Sequence, residues 1–113
     1  MIDSFSSGKM MIDGKLYRSD LKILSNHKVI ESWWRKEVHL VDWEDVEDLI
    51  DEDLELIIFG TGIPGKMKPT KNLLEKLKSA DIEYYIAPTQ QAVVYYNQHN
   101  VGKYTAVCFH LTC

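Results

Sequence analysis

An apolar segment followed directly by a glycine-rich turn constrains this chain more than any other feature. Leu54–Phe59 is the most apolar run, and Gly60-Thr61-Gly62-Ile63-Pro64-Gly65 follows it without a break. A short continuous apolar run is typical of a strand that is buried on both faces. Glycines allow a turn to approach its neighbours closely. The two segments therefore predict a central strand of an α/β sheet, with a turn at the carboxyl end where such sheets bind ligands.

The second half of the chain alternates helices and strands. Thr70 is a good N-cap, and Thr89 is another. Leu73, Leu74 and Leu77 recur at helical spacing after the first cap. These patterns predict a helix over 70–80, a strand over 82–86, a helix from Thr89 that ends before Gly102, and a strand over 104–111.

The first half reads as an antiparallel meander that ends in one helix. Asp13-Gly14 is a strong hairpin signal. It predicts strands over 5–11 and 15–24, followed by a short strand over 29–32 and a loop over 33–41. Asp42 predicts the N-cap of a helix that Glu52-Asp53 closes.

Together these elements predict an α/β fold in which residues 1–113 form a single three-layer domain. Helices would flank a mixed central sheet, and the N-terminal β-meander would pack beside it. A net charge of -4 opposes nonspecific binding to nucleic acid or to an anionic membrane. No apolar run approaches the length of about 20 residues that spans a bilayer.

The turn has the spacing G-x-G-x-x-G, which marks dinucleotide-binding turns when a helix starts inside it. Here Pro64 interrupts the turn, and Lys66-Met67-Lys68-Pro69 delays the helix until about Thr70. A residue before proline avoids helical angles, so Lys68 should be extended. We therefore expect no NAD or FAD and no other cofactor.

Two other interpretations of the turn stay open. It is either a tight structural crossover or a site for an anion or a small molecule, in which exposed backbone N–H groups would face the ligand. The candidate ligand-binding residues are Gly60, Thr61, Gly62, Gly65, Lys66 and Lys68.

The segment Trp33-Trp34-Arg35-Lys36 is a candidate protein contact, because Trp and Arg dominate binding hot spots. In an extended segment adjacent rings point in opposite directions. We therefore expect at least one tryptophan to pack in the core. Arg35 and His39 are further candidates for binding an anion.

The two cysteines, Cys108 and Cys113, are predicted to lie on one strand, too far apart for a disulfide. Free thiols fit a reducing cytoplasm. Cys108 and His110 would share a strand face, but a zinc site needs about four ligands and no second Cys/His cluster exists. We expect no metal, with Cys108 and His110 as core residues.

The chain also resembles the MTH-domain family of small proteins, which includes the adipogenesis-associated MTH-domain protein and a mitochondrial complex I assembly factor. The matching pieces span nearly the whole length. They are Ile2-Asp3-Ser4-Phe5 with Gly8, Ile12-Asp13-Gly14, Tyr17, Asp20, Trp34-Arg35, Gly60-Thr61-Gly62 with Gly65, Thr89 with Ala92, Tyr96-Asn97, and His110-Leu111-Thr112-Cys113.

The resemblance implies a three-layer fold with a mixed sheet and no agreed reaction, and its assembly-factor members suggest protein binding. The leading hypothesis is a cytoplasmic, non-enzymatic protein-binding or assembly module that uses the Trp33/Trp34 region. The alternative is a domain, even an enzyme, that binds an anion or a small molecule at the Gly60–Lys68 loop.

Overall fold

The computed structural model describes residues 1–113. In chain order, its elements are β1 (Ile2–Ser6), β2 (Lys9–Ile12), β3 (Lys15–Tyr17), β4 (Leu21–Ile23), β5 (Val29–Ile30), β6 (Leu40–Val41), α1 (Trp43–Val46), a 3-10 turn (Glu47–Leu49), β7 (Leu56–Gly60), β8 (Lys68–Pro69), α2 (Lys71–Ser79), β9 (Glu83–Ala87), α3 (Thr89–His99) and β10 (Thr105–Phe109).

The central sheet has five strands in the order β5-β4-β10-β7-β9. Strands β10, β7 and β9 are parallel, whereas β4 pairs antiparallel with β10 and β5 pairs antiparallel with β4. Every residue of β7 and β10 is buried, which explains why the sequence of β7 is continuously apolar. The predicted mixed sheet is confirmed.

The two faces of this sheet carry separate hydrophobic cores. Ile58 and Phe109 lie on the face covered by α3 and by the meander of β1, β2 and β3. Ile57 and Cys108 lie on the opposite face, beneath α1 and α2. Because side chains alternate along a strand, one apolar run serves both cores. The predicted α/β fold of one small domain is confirmed, with its helices on both faces of the mixed sheet.

Two predicted strands are each divided in the structure. The strand predicted over 5–11 reverses at Gly8, where φ is 78° and the N–H donates to the carbonyl of Leu111. The strand predicted over 15–24 leaves the meander after Tyr17 and joins the central sheet at Leu21. Both predictions were wrong because strand ends depend on partners that are distant in sequence.

The helix caps agree with the sequence better than the helix lengths do. Asp42 accepts from the N–H of Trp43, while Asp45 binds back to the N–H of Asp42, and Thr70 accepts from the N–H of Leu73. However, α1 has only four residues before the 3-10 turn, which is much shorter than the helix predicted from Asp42. None of the helices has the length and apolarity needed to cross a bilayer.

The two thiols lie in different environments. Cys108 is fully buried in β10, and burial raises the pKa of its thiol far above its ordinary value. Cys113 lies beyond the end of β10 and is exposed, and neither cysteine forms a disulfide. The prediction that both lie on one strand was therefore wrong, whereas the prediction of two free thiols is confirmed.

This difference predicts two reactivities. A thiol-specific reagent should modify only Cys113 in the native protein, because the thiolate is the reacting form and Cys108 is neutral and enclosed. A colorimetric thiol titration should give one fast equivalent in buffer and two in denaturant. The Cys113→Ser variant should give no fast equivalent, and a fast reaction in that variant would show that Cys108 is accessible.

Candidate functional site

The glycine-rich turn lies at the carboxyl end of β7, as predicted, but most of its backbone donors are already bound. Helix α2 begins only at Lys71, so no helix starts inside the turn. The turn's N–H groups donate to acceptors of the protein itself: Thr61 to Ala87 O (2.9 Å), Gly62 to Thr89 Oγ1 (2.8 Å), Ile63 to Thr112 O (2.8 Å), Lys66 to Cys113 O (3.3 Å) and Met67 to Thr61 O (3.2 Å). These donors hold the turn against its neighbours and are not directed toward a ligand.

Gly62 allows the chain end to pack against the turn. Its φ is 101°, which L side chains rarely adopt, and a Cβ there would lie 2.7 Å from Cδ2 of His110. Thr89, predicted as the N-cap of α3, is instead the first helical residue after Pro88. Its buried hydroxyl accepts from the N–H of Gly62 and donates to the carbonyl of His110 at 2.6 Å. The turn therefore sets the position of the His110 ring.

That ring belongs to a cluster centred on the carboxylate of Asp20. Oδ1 accepts from the N–H of Leu111 at 2.8 Å. Oδ2 lies 2.7 Å from Nδ1 of His110 and 2.9 Å from Nη2 of Arg35. His110 therefore carries a proton on Nδ1 and donates it to Asp20, which leaves Nε2 directed away from the carboxylate.

Opposing effects set the pKa of Asp20. Burial favours the neutral acid and acts to raise the pKa. The hydrogen bonds from Leu111, His110 and Arg35 favour the carboxylate, and together they outweigh burial and lower the pKa below its ordinary value of 3.8. Asp20 is thus a fixed negative charge at neutral pH.

Arg35 is held as tightly as Asp20. Its side chain is 1% exposed, and the guanidinium lies over the Trp33 ring at 4.4 Å. Nε and Nη2 also donate to the carbonyl of Val38, at 3.0 and 2.7 Å. His39 approaches from the same loop, where its ring meets that of His110 edge-on with 5.7 Å between centroids. Sequence candidates Arg35 and His39 are therefore neighbours in the fold.

The remaining sequence candidates lie on or near the turn, in different environments. The N–H of Lys68 donates to the carbonyl of His39, while the side chains of Lys66 and Lys68 are exposed. Gly60 packs against the ring of Phe109. Thr61 and Gly65 line a separate cavity of about 290 Å³, whose other walls are Met67, Lys68, Pro69, Leu74, Ile86, Ala87 and Pro88.

The structure does not combine Cys108 with His110. The Cys108 thiol faces the carbonyl of Ile58 at 3.8 Å, whereas the His110 ring binds Asp20. No group of three or more His, Cys, Asp or Glu side chains is placed to bind one metal ion. The Asp20–His110 pair orients an imidazole in the way that carboxylates do in metal sites and catalytic triads.

Sequence reasoning missed Asp20 as a site residue and assigned His110 to the core. Both occur among the residues that carry the family resemblance, but no local spacing relates them. The two are 90 positions apart. Lys22 was missed as well. Its strand was predicted to have one solvent-exposed face, but the Lys22 side chain is buried and its ammonium binds Asp48 at 2.7 Å. The only usable signal was an isolated charge next to apolar strand residues.

The model of a family described as "Protein of unknown function (DUF498/DUF598)" matches residues 2–110. The chain belongs to this family. Its description specifies no reaction, ligand or partner.

Solved structures share the fold of this DUF498/DUF598 member over 99–100% of its length. The conserved hypothetical protein PH1505 from Pyrococcus horikoshii OT3 is 25% identical, with a TM-score of 0.88 over 100% of this chain and 99% of that chain. A protein named MT938 is 26% identical, with a TM-score of 0.80 over 100% and 98% of the two chains. An outer membrane protein from Bartonella henselae is 16% identical, with a TM-score of 0.82 over 99% and 94%, which shows the fold alone.

The turn geometry predicts a contrast between two substitutions. Gly62→Ala should lower the free energy of unfolding by about 1–3 kcal/mol, because alanine is strained at this φ and its Cβ collides with the chain end. Lys66→Ala should change it by less than about 0.5 kcal/mol, because it alters only an exposed side chain. Urea unfolding followed by circular dichroism measures both. Equal effects would mean that the turn does not brace the C-terminal segment.

The Asp20 cluster predicts a specific loss of stability in acid. Because the native pKa of Asp20 lies below its unfolded value of 3.8, its contribution is complete above pH 3.8 and is lost as pH falls through the native pKa. Asp20→Asn should remove that part of the pH dependence. At neutral pH it should cost about 3–5 kcal/mol, since buried Arg35 loses its counter-charge.

Urea unfolding at a series of pH values measures this effect. Asp53→Asn is the matched control, because Asp53 is exposed and its carboxylate binds no other group. If the free energy of unfolding falls with decreasing pH in Asp20→Asn as it does in the wild type, the role assigned to this carboxylate is contradicted.

Proposed function

We propose that this protein is a non-enzymatic protein-binding module whose main contact residue is Trp34. The observation that carries the proposal is the exposure of this residue: 86% of Trp34 is accessible, whereas the adjacent Trp33 is 6% exposed. A fully exposed indole removes a large apolar area from water when a partner covers it. Trp is also the residue type most enriched at binding hot spots.

The loop that carries Trp34 is held rigidly from beneath. The N–H of Trp33 donates to the carbonyl of Asp20 at 2.9 Å, and the indole N–H of Trp33 donates to the carbonyl of Asp45 at 3.0 Å. On the other side, Arg35 is tied to Asp20 and to Val38. Since both neighbours of Trp34 are fixed, little backbone entropy is lost when a partner binds.

The surroundings of Trp34 suit a protein partner. Val38, which is 58% exposed, and Arg18 line the same cleft as Trp34, with a volume of about 290 Å³. Apolar, aromatic and arginine side chains side by side form the composition of an interface centre. We infer a partner with an apolar pocket that receives the indole, bordered by polar groups that meet Arg18.

The family resemblance supports protein binding. The chain resembles MTH-domain proteins, and the assembly-factor members of that family suggest protein binding. The two unbridged thiols are compatible with the reducing cytoplasm, which we propose as the compartment.

Photo-crosslinking tests the proposal directly. A photoreactive amino acid at position 34 should capture a defined partner in cells, and the same group at position 104 is the matched control. Tyr104 is also exposed, at 58%, but it precedes β10 and lies at the opposite end of that strand from His110. Crosslinks from both positions to the same proteins, or from neither, would overturn the proposal.

The affinity measurement then uses the captured partner. Trp34→Ala should weaken binding by about 2 kcal/mol or more, as hot-spot truncations do. It should leave the free energy of unfolding within about 0.5 kcal/mol of the wild-type value, because the side chain is exposed. Tyr104→Ala should leave the affinity unchanged in isothermal titration calorimetry. Retained affinity in Trp34→Ala would contradict the role assigned to the indole.

A further inference from the structure

Three buried nitrogen atoms have no hydrogen-bond partner in the protein: Arg35 Nη1, His39 Nε2 and His110 Nε2. The side chains of Arg35 and His110 are only 1% and 5% exposed. A buried polar group without a partner costs about 1–3 kcal/mol, and a charged one costs more. Three such atoms therefore require a polar partner that the chain itself does not supply.

The three side chains that carry these atoms belong to one cluster. Nη2 of Arg35 lies 3.3 Å from Nδ1 of His110, and the rings of His39 and His110 meet edge-on at 5.7 Å. Further contacts fix the Arg35 side chain and the backbone of His39. Arg35 packs on the Trp33 ring, and the carbonyl of His39 accepts from the N–H of Lys68. The side chains that carry the unpartnered atoms are thus neighbours in one preorganised group.

Asp20 does not satisfy them. Its Oδ1 accepts from Leu111, and its Oδ2 accepts from both His110 and Arg35, so both oxygens already bind protein donors. The carboxylate balances one positive charge and orients the imidazole. A partner for the other side of Arg35 and His110 must come from outside the chain.

The chemistry of the three atoms selects the class of partner. The Arg35 guanidinium is always charged and only donates, so it favours an anion and opposes a metal ion. His110 donates from Nδ1 to Asp20, and its Nε2 accepts when the ring is neutral and donates when the ring is protonated. The oxygen of a weak acid suits both states, because the protonated oxygen can donate to a neutral ring and the ionised oxygen can accept from a protonated ring. His39 can donate from Nε2 to the same ligand.

We propose that Arg35, His39 and His110 bind one small weak-acid oxyanion, the carboxylate or phosphate group of a small molecule. One oxygen accepts from Nη1 of Arg35, and another shares a proton with Nε2 of His110. A cleft of about 290 Å³ reaches this group at Arg35, with Asp20, Trp33 and Trp34 also in its wall, and the rest of the ligand would lie there. The three nitrogen-bearing side chains differ from the proposed contact residues Trp34, Val38 and Arg18, although those contact residues line the same cleft.

Ligand-dependent thermal stability is the first test. Sodium acetate and sodium phosphate represent the two sources of oxyanion, and sodium chloride at equal ionic strength is the salt control. A ligand that binds only the native state raises the melting temperature in a saturable way. Saturable stabilisation by acetate, by phosphate or by both, beyond that of chloride, is expected. The responding anion identifies the group that the site takes.

The variants separate a designed site from general salt effects. His39→Phe keeps the ring contact with His110 but removes both nitrogens, and it should weaken anion binding roughly tenfold or more. His27→Asn is the matched control, because His27 is exposed, lies outside the cluster, and has a φ of 75° that asparagine tolerates. Equal anion binding by wild type and His39→Phe would overturn the proposal.

Nuclear magnetic resonance on the unmodified protein gives a test that does not depend on a variant folding. The chain has four histidines, two inside the proposed site and two outside it. In ¹⁵N spectra of the rings, addition of acetate or phosphate should shift the signals of His39 and His110 and leave those of His27 and His99 in place. Unchanged signals from His39 and His110 with both anions would mean that only water occupies the site and would refute the proposal.

Discussion

The half-buried carboxylate of Asp20 makes the interactions on which the rest of this structure depends. Its donors come from separate parts of the chain: Arg35 from the loop after β5, and His110 and Leu111 from the segment after β10. One side chain therefore joins the exit of the meander, the tryptophan loop and the C-terminal segment. Arg35 and Asp20 are each costly to bury alone, so each is stable in the interior only because the other is present.

The tryptophan loop has two functional faces because of this anchor. Trp33 and Arg35 point inward and stack at 4.4 Å, whereas Trp34 between them points outward. This alternation follows from extended backbone geometry. The inward face supplies a guanidinium to the buried nitrogen cluster, and the outward face presents an indole to solvent. The protein contact and the anion site that we propose thus share one rigid support and one cleft, whose wall includes both Trp34 and Arg35.

The glycine-rich turn contributes mainly by position. Gly62 leaves room for the His110 ring, and the N–H of Ile63 binds the carbonyl of Thr112. A turn with the spacing of a nucleotide motif therefore acts here as a brace for the chain end. The backbone N–H groups of Ile63 and Lys66 bind the carbonyls of Thr112 and Cys113, and those of Thr61 and Gly62 bind Ala87 and Thr89. A donor that has an acceptor in the protein is not available to a ligand.

Local patterns determined much of the fold. The continuously apolar sequence of β7 indicates a strand that is buried on both faces. Asp42 and Thr70 are recognisable as caps because their side chains bind N–H groups only one to three residues ahead. Leu73 and Leu77 recur at helical spacing and face the core. The division of residues 15–24 between two sheets was not predictable in the same way. Strand membership depends on which distant strand supplies the hydrogen bonds, and residues 21–23 pair with β10 near the end of the chain.

The candidate site was predictable from the sequence only in part. The sequence by itself indicated Arg35 and His39, because a cation and an imidazole beside two tryptophans form a visible local group. Only the tertiary structure brought His110 to them and placed Asp20 in the centre, with 90 positions between the two residues. Local periodicity reports which face of an element is buried. It carries no information about which polar side chains meet there, since that depends on the order of strands in the sheet and on the path of the loops between them.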